Sequence, residues 1–414
     1  MTRVIHTGDT HIGYQQYHST ERRQDFLDAF EEVIDDAIEM DVAAVIHAGD
    51  LFHDRRPELP DLLGTLNALR RLAAADIPFL AVVGNHESTR GGQWLDLFER
   101  LDLATRLGSE PVMVDSVAVY GLDHVPVSRR DDLDYEFTPP TDDATQSVLV
   151  SHGLFTPFAH ANWETEMVLA ESSIDFDAVL LGDNHEAGIE QVDETWVTYC
   201  GSTERASASE RDGRGYNVVE FGDEEGPAGV DIRQRSVKTR PFVFVSVDLA
   251  EGEGSSRVRE QVRQYDLDDA VVSVEILGDG EPVTPASIEE FALDRGALVA
   301  RVTDRREIET ETELSVSFAD PDAAVDEKIR ELELSETAID IDETVRASKL
   351  ADSNIRQEVS QLVEDGVDAE PAADPADDAG SDGLPETESE AGGDEPADEP
   401  TPATDGQLSL EDLQ

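Results

Sequence analysis

The chain has 414 residues, with 31 Lys and Arg against 94 Asp and Glu and a formal net charge of −63. At about 150 residues per domain this length predicts two to three domains. No apolar run approaches the ~20 residues needed to span a bilayer, and one cysteine, Cys200, excludes a disulfide framework or a cysteine-based zinc module. Met1 leads directly into a short apolar run and then Gly8-Asp9, without the apolar region of a secretion signal. The expectation is a cytoplasmic protein with no membrane contact.

The acidity is spread along the chain. Residues 366–414 hold 16 acidic and no basic residues, so most of the excess lies upstream. Only Lys238, Lys328 and Lys349 are lysines. Lysine depletion with arginine retained points to a halophilic protein in a high-salt cytosol, where a Debye length of about 3 Å at 1 M salt hides the field from a polyanion. An acidic protein serving basic partners is the other reading.

In chain order, Val4-Ile5-His6 predicts a strand, and Thr20 is placed to cap a helix with Phe26, Phe30, Val33, Ile34, Ala37 and Ile38 on one face. Residues 43–46 predict a second strand, 59–74 a helix, and 79–83 a third strand. Val112 to Tyr120 reads as a hairpin turning at Asp115-Ser116. Strands at 148–150, 179–181, 197–199 and 216–221 complete a first unit, 1–236, with two mixed sheets and helices outside. After Arg240-Pro241, strands at 242–249, 272–276 and 298–302 alternate with helices at 255–265 and from Thr284-Pro285 to Gly296, a compact β-α-β-α-β module within 242–318. Residues 321–365 read as charged helices with an apolar stripe of Ile355, Val359, Leu362 and Val363. Residues 366–414 read as a disordered acidic tail.

The chemistry sits at strand ends. Asp9-Thr10-His11, Gly49-Asp50-Leu51-Phe52-His53, Gly84-Asn85-His86-Glu87, Ser151-His152-Gly153 and Gly182-Asp183-Asn184-His185 each follow a predicted strand, where ligands of α/β sheets bind. All ten histidines lie at or before residue 185. Oxygen and imidazole donors suit Mn²⁺, Fe²⁺ or Zn²⁺, and a carboxylate between two cations offsets their repulsion. Asp9 and His11, two apart, would point to one side of a strict strand. His86 is the natural group to meet charge on a leaving oxygen. His6 and His47 read as core histidines, and His18, His124 and His160 as structural or surface residues.

These motifs, in this order, resemble those of calcineurin-like metallophosphoesterases. Within that superfamily, Gly8-Asp9-Thr10-His11-Ile12-Gly13-Tyr14-Gln15-Gln16-Tyr17 with Glu21 to Phe30, Gly49-Asp50-Leu51-Phe52-His53 and Arg240-Pro241-Phe242-Val243 resemble the meiotic-recombination-eleven type of DNA double-strand break repair nuclease, counterpart of bacterial SbcD. The resemblance implies an α/β four-layer sandwich of two mixed sheets flanked by helices, with 242–318 as an α+β domain capping DNA. It implies two Mn²⁺ per subunit, one held by Asp9, His11, Asp50 and His185, the other by Asp50, Asn85, His152 and Asp183. His86 would act on the leaving group and His53 would place the phosphate. The implied activity is a 3′→5′ exonuclease on duplex DNA ends and an endonuclease on single strands. The protein would be a homodimer, joined into a heterotetramer by an SMC-like coiled-coil ATPase that docks on 321–365. Two positions depart from the family pattern: Asp183 stands where His is usual, and Glu87 stands where Asp is usual, so a carboxylate that orients His86 would have a different reach.

Arg22, Arg23, Arg55, Arg56 and Arg90 lie in or beside the motif loops and are candidate phosphate contacts. Gln407, Leu410 and Leu413 within 407–414 have the spacing of a weak sliding-clamp contact, without its aromatic anchors. Two other readings stay open: another phosphodiesterase or phosphatase of the same superfamily, and a DNA-tethering scaffold with weak nuclease activity. Action on small phosphodiesters but not DNA would favour the first, and DNA bridging that survives loss of Asp50 the second.

Overall fold

The computed structural model describes residues 1–88, 92–222 and 227–306. The stripe at 355–363, the acidic tail, the 407–414 segment and Arg90 lie outside the described residues. Six strands form a first sheet: β1 (Thr2–Thr7), β2 (Ala44–His47), β3 (Phe79–Ala81) and β4 (Thr105–Arg106) run parallel, and β11 (Gly215–Phe221) and β12 (Val230–Ser236) extend the β1 edge antiparallel. The second sheet is ordered β5 (Val112–Val114), β6 (Val117–Leu122), β7 (Gln146–His152), β8 (Ala178–Gly182), β10 (Thr195–Tyr199), β9 (Gly188–Val192), parallel from β6 to β10. The predicted hairpin turns at Asp115, which takes a positive φ of 51°.

Three apolar cores separate four layers. Phe30, Val33 and Ile34 of α1 (Thr20–Met40) and Leu69 and Leu72 of α2 (Leu59–Ala74) pack on Ile5, Val45 and Phe79 of the first sheet. Val4, Ile46 and Leu80 meet Val119, Val148 and Leu180 between the sheets. Leu149, Val179 and Leu181 face Trp163 and Val168 on the far side, where α4 (Thr165–Glu171) lies. Alternate residues of one strand thus serve two cores, as the period of a strand requires. The cap of α1 is Ser19, whose hydroxyl accepts the Arg22 amide at 3.1 Å, rather than the expected Thr20. A short helix, α3 (Trp94–Arg100), has no sequence prediction behind it.

The smaller module is a parallel sheet of β13 (Phe242–Leu249), β14 (Val271–Gly278) and β15 (Val299–Asp304), crossed over by α5 (Ser255–Val262) and α6 (Pro285–Leu293). Its own core gathers Val245, Val247, Val258, Val274, Ile276 and Ile288. Arg240 fastens it to the sandwich, forking onto both Asp25 oxygens at 2.7 and 2.8 Å and reaching the Asp269 carbonyl at 3.0 Å.

Candidate metal centre

The loops after β1, β2, β3, β7 and β8 meet at one end of the sandwich. Asp9 and His11 do not project from a strand, as their spacing suggested. β1 stops at Thr7, and both sit in the loop beyond it with positive φ, 48° and 44°. Asp50 and Asp183 also take positive φ, 56° and 92°. Such backbone costs of order 1–3 kcal/mol per residue and persists where surroundings impose it. Here the amides of Asp9 and His11 donate to the carbonyls of Gly49 and Asp50, which pins the first loop to the second. Gly84 is required by closeness. A Cβ there would lie 2.0 Å from Asp50 Oδ1.

Asp50 lies at the middle. Its Oδ1 accepts the His86 amide at 2.9 Å. Its Oδ2 is 3.5 Å from His152 Nε2 and 3.9 Å from the Nε2 atoms of both His11 and His86. His152 Nδ1 pairs with the Ala48 carbonyl at 2.7 Å, which leaves Nε2 for the cluster, 3.2 Å from Asn85 Oδ1. Both Asp9 oxygens accept the Asp183 amide at 3.0 Å, so a loop of the second sheet steadies a carboxylate of the first. The Asp183 carboxylate stands 3.8 Å from His152 Nε2. His185 Nε2 faces His11 Nε2 at 3.0 Å. Two groups have donor atoms within 4.8 Å of one another and share Asp9: Asp9, His11 and His185, and Asp9, Asp50 and His152. His11, His53 and His86 form a third.

This donor set fits divalent cations. Asp9 and Asp50 are 0% and 1% exposed, with no Arg or Lys partner among the described residues; buried charges are paired or coordinate metals. His11 Nδ1 is buried without a hydrogen-bond partner. The electrostatics also divide the carboxylates. Burial pushes Asp9 up to about 7, against the pull of His152 and His185. Burial acts the same way on Asp50, but His152 and His86 hold it well below the usual carboxylate range. Burial opposes the charged form of His185, yet the Glu210 hydrogen bond and Asp9 raise it to about 9.

The neighbouring residues divide into several outcomes. His86 Nδ1 pairs with the His53 carbonyl at 2.7 Å, and Tyr14 packs on the His53 ring with centroids 4.0 Å apart. Glu87 does not reach His86. It accepts the backbone amides of Phe52 and Gly84, each at 3.3 Å, and burial lifts it to about 7. Arg22 is corrected outright as a phosphate contact. It is fully buried and spent on Gln16, Asp25, Glu204 and the Arg205 carbonyl. Arg23 is bound to Glu58 and Asp61, while Arg55 and Arg56 are exposed. His6 and His47 are buried core residues, and burial drops both to about 3. His124, read as structural or surface, has its ring 6.0 Å from that of His152. Glu210 has no motif around it in the sequence and binds His185 Nδ1 at 2.9 Å.

Residues 2–187 match the family model described as calcineurin-like phosphoesterase. Over 375 residues the chain is 69% identical to the DNA double-strand break repair protein Mre11 of the halophilic archaeon Haloferax volcanii, covering 90% of this chain and 84% of that one. It is 58% identical over 371 residues to the protein of the same name from Halobacterium salinarum, covering 89% and 95%. A third relative of that name, from Methanosarcina acetivorans, is 43% identical over 370 residues, 86% of this chain and 59% of the relative.

Proposed function

The chain belongs to the Mre11 family of DNA double-strand break repair proteins, and from that premise we propose that it is a metal-dependent DNA phosphodiesterase that processes broken ends as a 3′→5′ exonuclease and single-strand endonuclease. The observation that carries the site assignment is the Asp50 carboxylate, buried with three imidazole nitrogens within 3.9 Å. Asp9, His11, Asp50 and His185 would hold one Mn²⁺, and Asp50, Asn85, His152 and Asp183 the other. Such a pair acidifies a water and polarises the phosphoryl group.

The chain's own residues do the rest. His53 and Tyr14 border a groove shared by Arg56 with Asp54, Glu58 and Asp61, and the exposed Arg56 would be its contact to the DNA backbone, since Arg23 is tied to Glu58 and Asp61. The His53 carbonyl accepts from His86 Nδ1, so the proton of that nitrogen is engaged and Nε2 is turned toward the cluster. His86 then acts as general acid only in its imidazolium form, giving its Nε2 proton to the departing oxygen and reverting to the neutral ring with Nδ1–H still on the His53 carbonyl. The 242–318 region caps the duplex. Leu59 and Leu63 on α2, Leu97 on α3 and Leu101 just beyond it are exposed apolar side chains suited to a homodimer face. An SMC-like ATPase would dock at 321–365 through Ile355, Val359, Leu362 and Val363 to give a heterotetramer, and 407–414 would touch a sliding clamp weakly. Among the described residues no helix is long and apolar enough to cross a membrane. The substrate itself would place the protein at the nucleoid in the cytoplasm.

The test is digestion of end-labelled duplex DNA in molar KCl with Mn²⁺. The reading expects shortening from 3′ ends that both Asp50→Ala and His86→Ala abolish. Intact DNA alongside cleavage of a bis-phosphate ester, with and without the ATPase, would sink it.

A further inference from the structure

Resting on that reading of the metal centre, one loop ties a candidate ligand to the small module. Residues 201–214 hold His185 at both ends. Glu210 Oε1 takes the ring at Nδ1, 2.9 Å away, while Arg214 Nη1 donates to the His185 carbonyl at 2.7 Å. Glu210 is itself fixed, its Oε2 accepting the Ala206 amide at 3.0 Å and Arg214 at 3.4 Å. With Nδ1 committed to a carboxylate, Nε2 is the atom presented to the cluster. Carboxylate partners of ligating histidines fix tautomer and ring orientation and raise basicity.

The same loop reaches the other way through Arg205. Its Nε donates to the Glu210 carbonyl at 3.0 Å, its Nη2 to the Asp212 carbonyl at 2.9 Å and its Nη1 to Thr239 at 2.9 Å. Its guanidinium lies 5.2 Å from the ring centre of Phe242, the first residue of β13, and Arg22 packs on that ring at 5.0 Å. The ring is thus held between two guanidinium groups, each attracted to its face. The path from β13 to the His185 ring therefore crosses two residues, Arg205 and Glu210.

We propose that Glu210 is the positioning residue of His185, and that Arg205 makes the seating of Phe242 a determinant of how tightly the His185 side of the centre holds a divalent ion. The cap module then acts on the metal site through the protein frame as well as on DNA.

Two readouts on the full chain in molar KCl decide it. The first is metal-free. Histidine-selective ¹⁵N spectra, with His185 identified by His185→Gln, show an Nδ1-bound proton that Glu210→Ala removes. The second is Mn²⁺ titration followed by its own spin resonance. Glu210→Ala weakens one class of site about 10–100-fold, Glu210→Gln less because it keeps an acceptor, and Arg205→Met, Phe242→Ala and the milder Phe242→Leu weaken that same class several-fold. An unchanged His185 spectrum and titration in Glu210→Ala overturns the positioning role. A response to Glu210 but none to Arg205 or Phe242 overturns the link to the cap. Equal Mn²⁺ uptake by wild type and Asp50→Ala instead removes the metal-centre reading, and the ¹⁵N spectra still decide the role of Glu210.

Discussion

The strand-end loops of the sandwich and the interior of the cap module are built on opposite terms. The loops place aspartates and a histidine at positive φ, bury carboxylates without arginine or lysine partners, and depend on contacts between residues far apart in sequence. The cap is three parallel strands under two helices, filled by Val, Leu, Ile and Ala. The first region gives up local stability for a shaped set of donors, and the second has nothing in its core but packing. Real proteins break local rules at functional sites and compensate elsewhere. The loops here are compensated by the two sheets that carry them.

That contrast can be broken by experiment. The largest effect is expected inside the loops. Asp50→Ala should lose nuclease activity and alter Mn²⁺ stoichiometry together, whereas His86→Ala should lower turnover about 10²–10⁴-fold with stoichiometry retained; measuring both properties on both variants separates ligand from proton donor. In the cap, Ile276→Ala should cost about 2–5 kcal/mol in denaturant unfolding while Mn²⁺ uptake below the transition stays as in wild type. A loss of uptake there would erase the division between the regions. Chelating the metal should lower the melting temperature of the sandwich, since an ion at 100 times its Kd contributes about 2.7 kcal/mol. The smallest effect belongs to exposed charge. Arg233→Ala, which breaks the exposed 2.6 Å pair with Asp231, should shift stability by less than about 1 kcal/mol and by nothing measurable in molar salt.

The same contrast explains what was legible in the sequence. Strand ends carrying Asp, Asn and His announce themselves by residue type, and the helix at 59–74 stands as expected. Arg22 was misread by proximity to the motifs, although it belongs to the stripe that continues through Phe26, Ala29, Phe30 and Val33, all buried on α1. Helical spacing would have placed it inside. The pairing of Asp9 with His11 was inferred from strand alternation, but a strand that stops at Thr7 cannot impose it. Glu210 lies 25 residues beyond His185, and its meaning depends on a loop folding back. The sequence signal nearest to it is the cluster Arg205, Arg211 and Arg214 around Glu210 and Asp212 in a strongly acidic chain.

The contact between His11 and His185 joins residues 174 positions apart. Contacts of such long sequence separation carry the largest chain-closure cost and form late. During synthesis, a ribosome-held chain that has released the first sheet's early strands but not the second sheet possesses Asp9, His11, Asp50 and Asn85 and no complete donor set. The donor cluster is therefore complete only after both sheets have emerged and docked. A copy truncated before residue 185 lacks the last partner of its first loop.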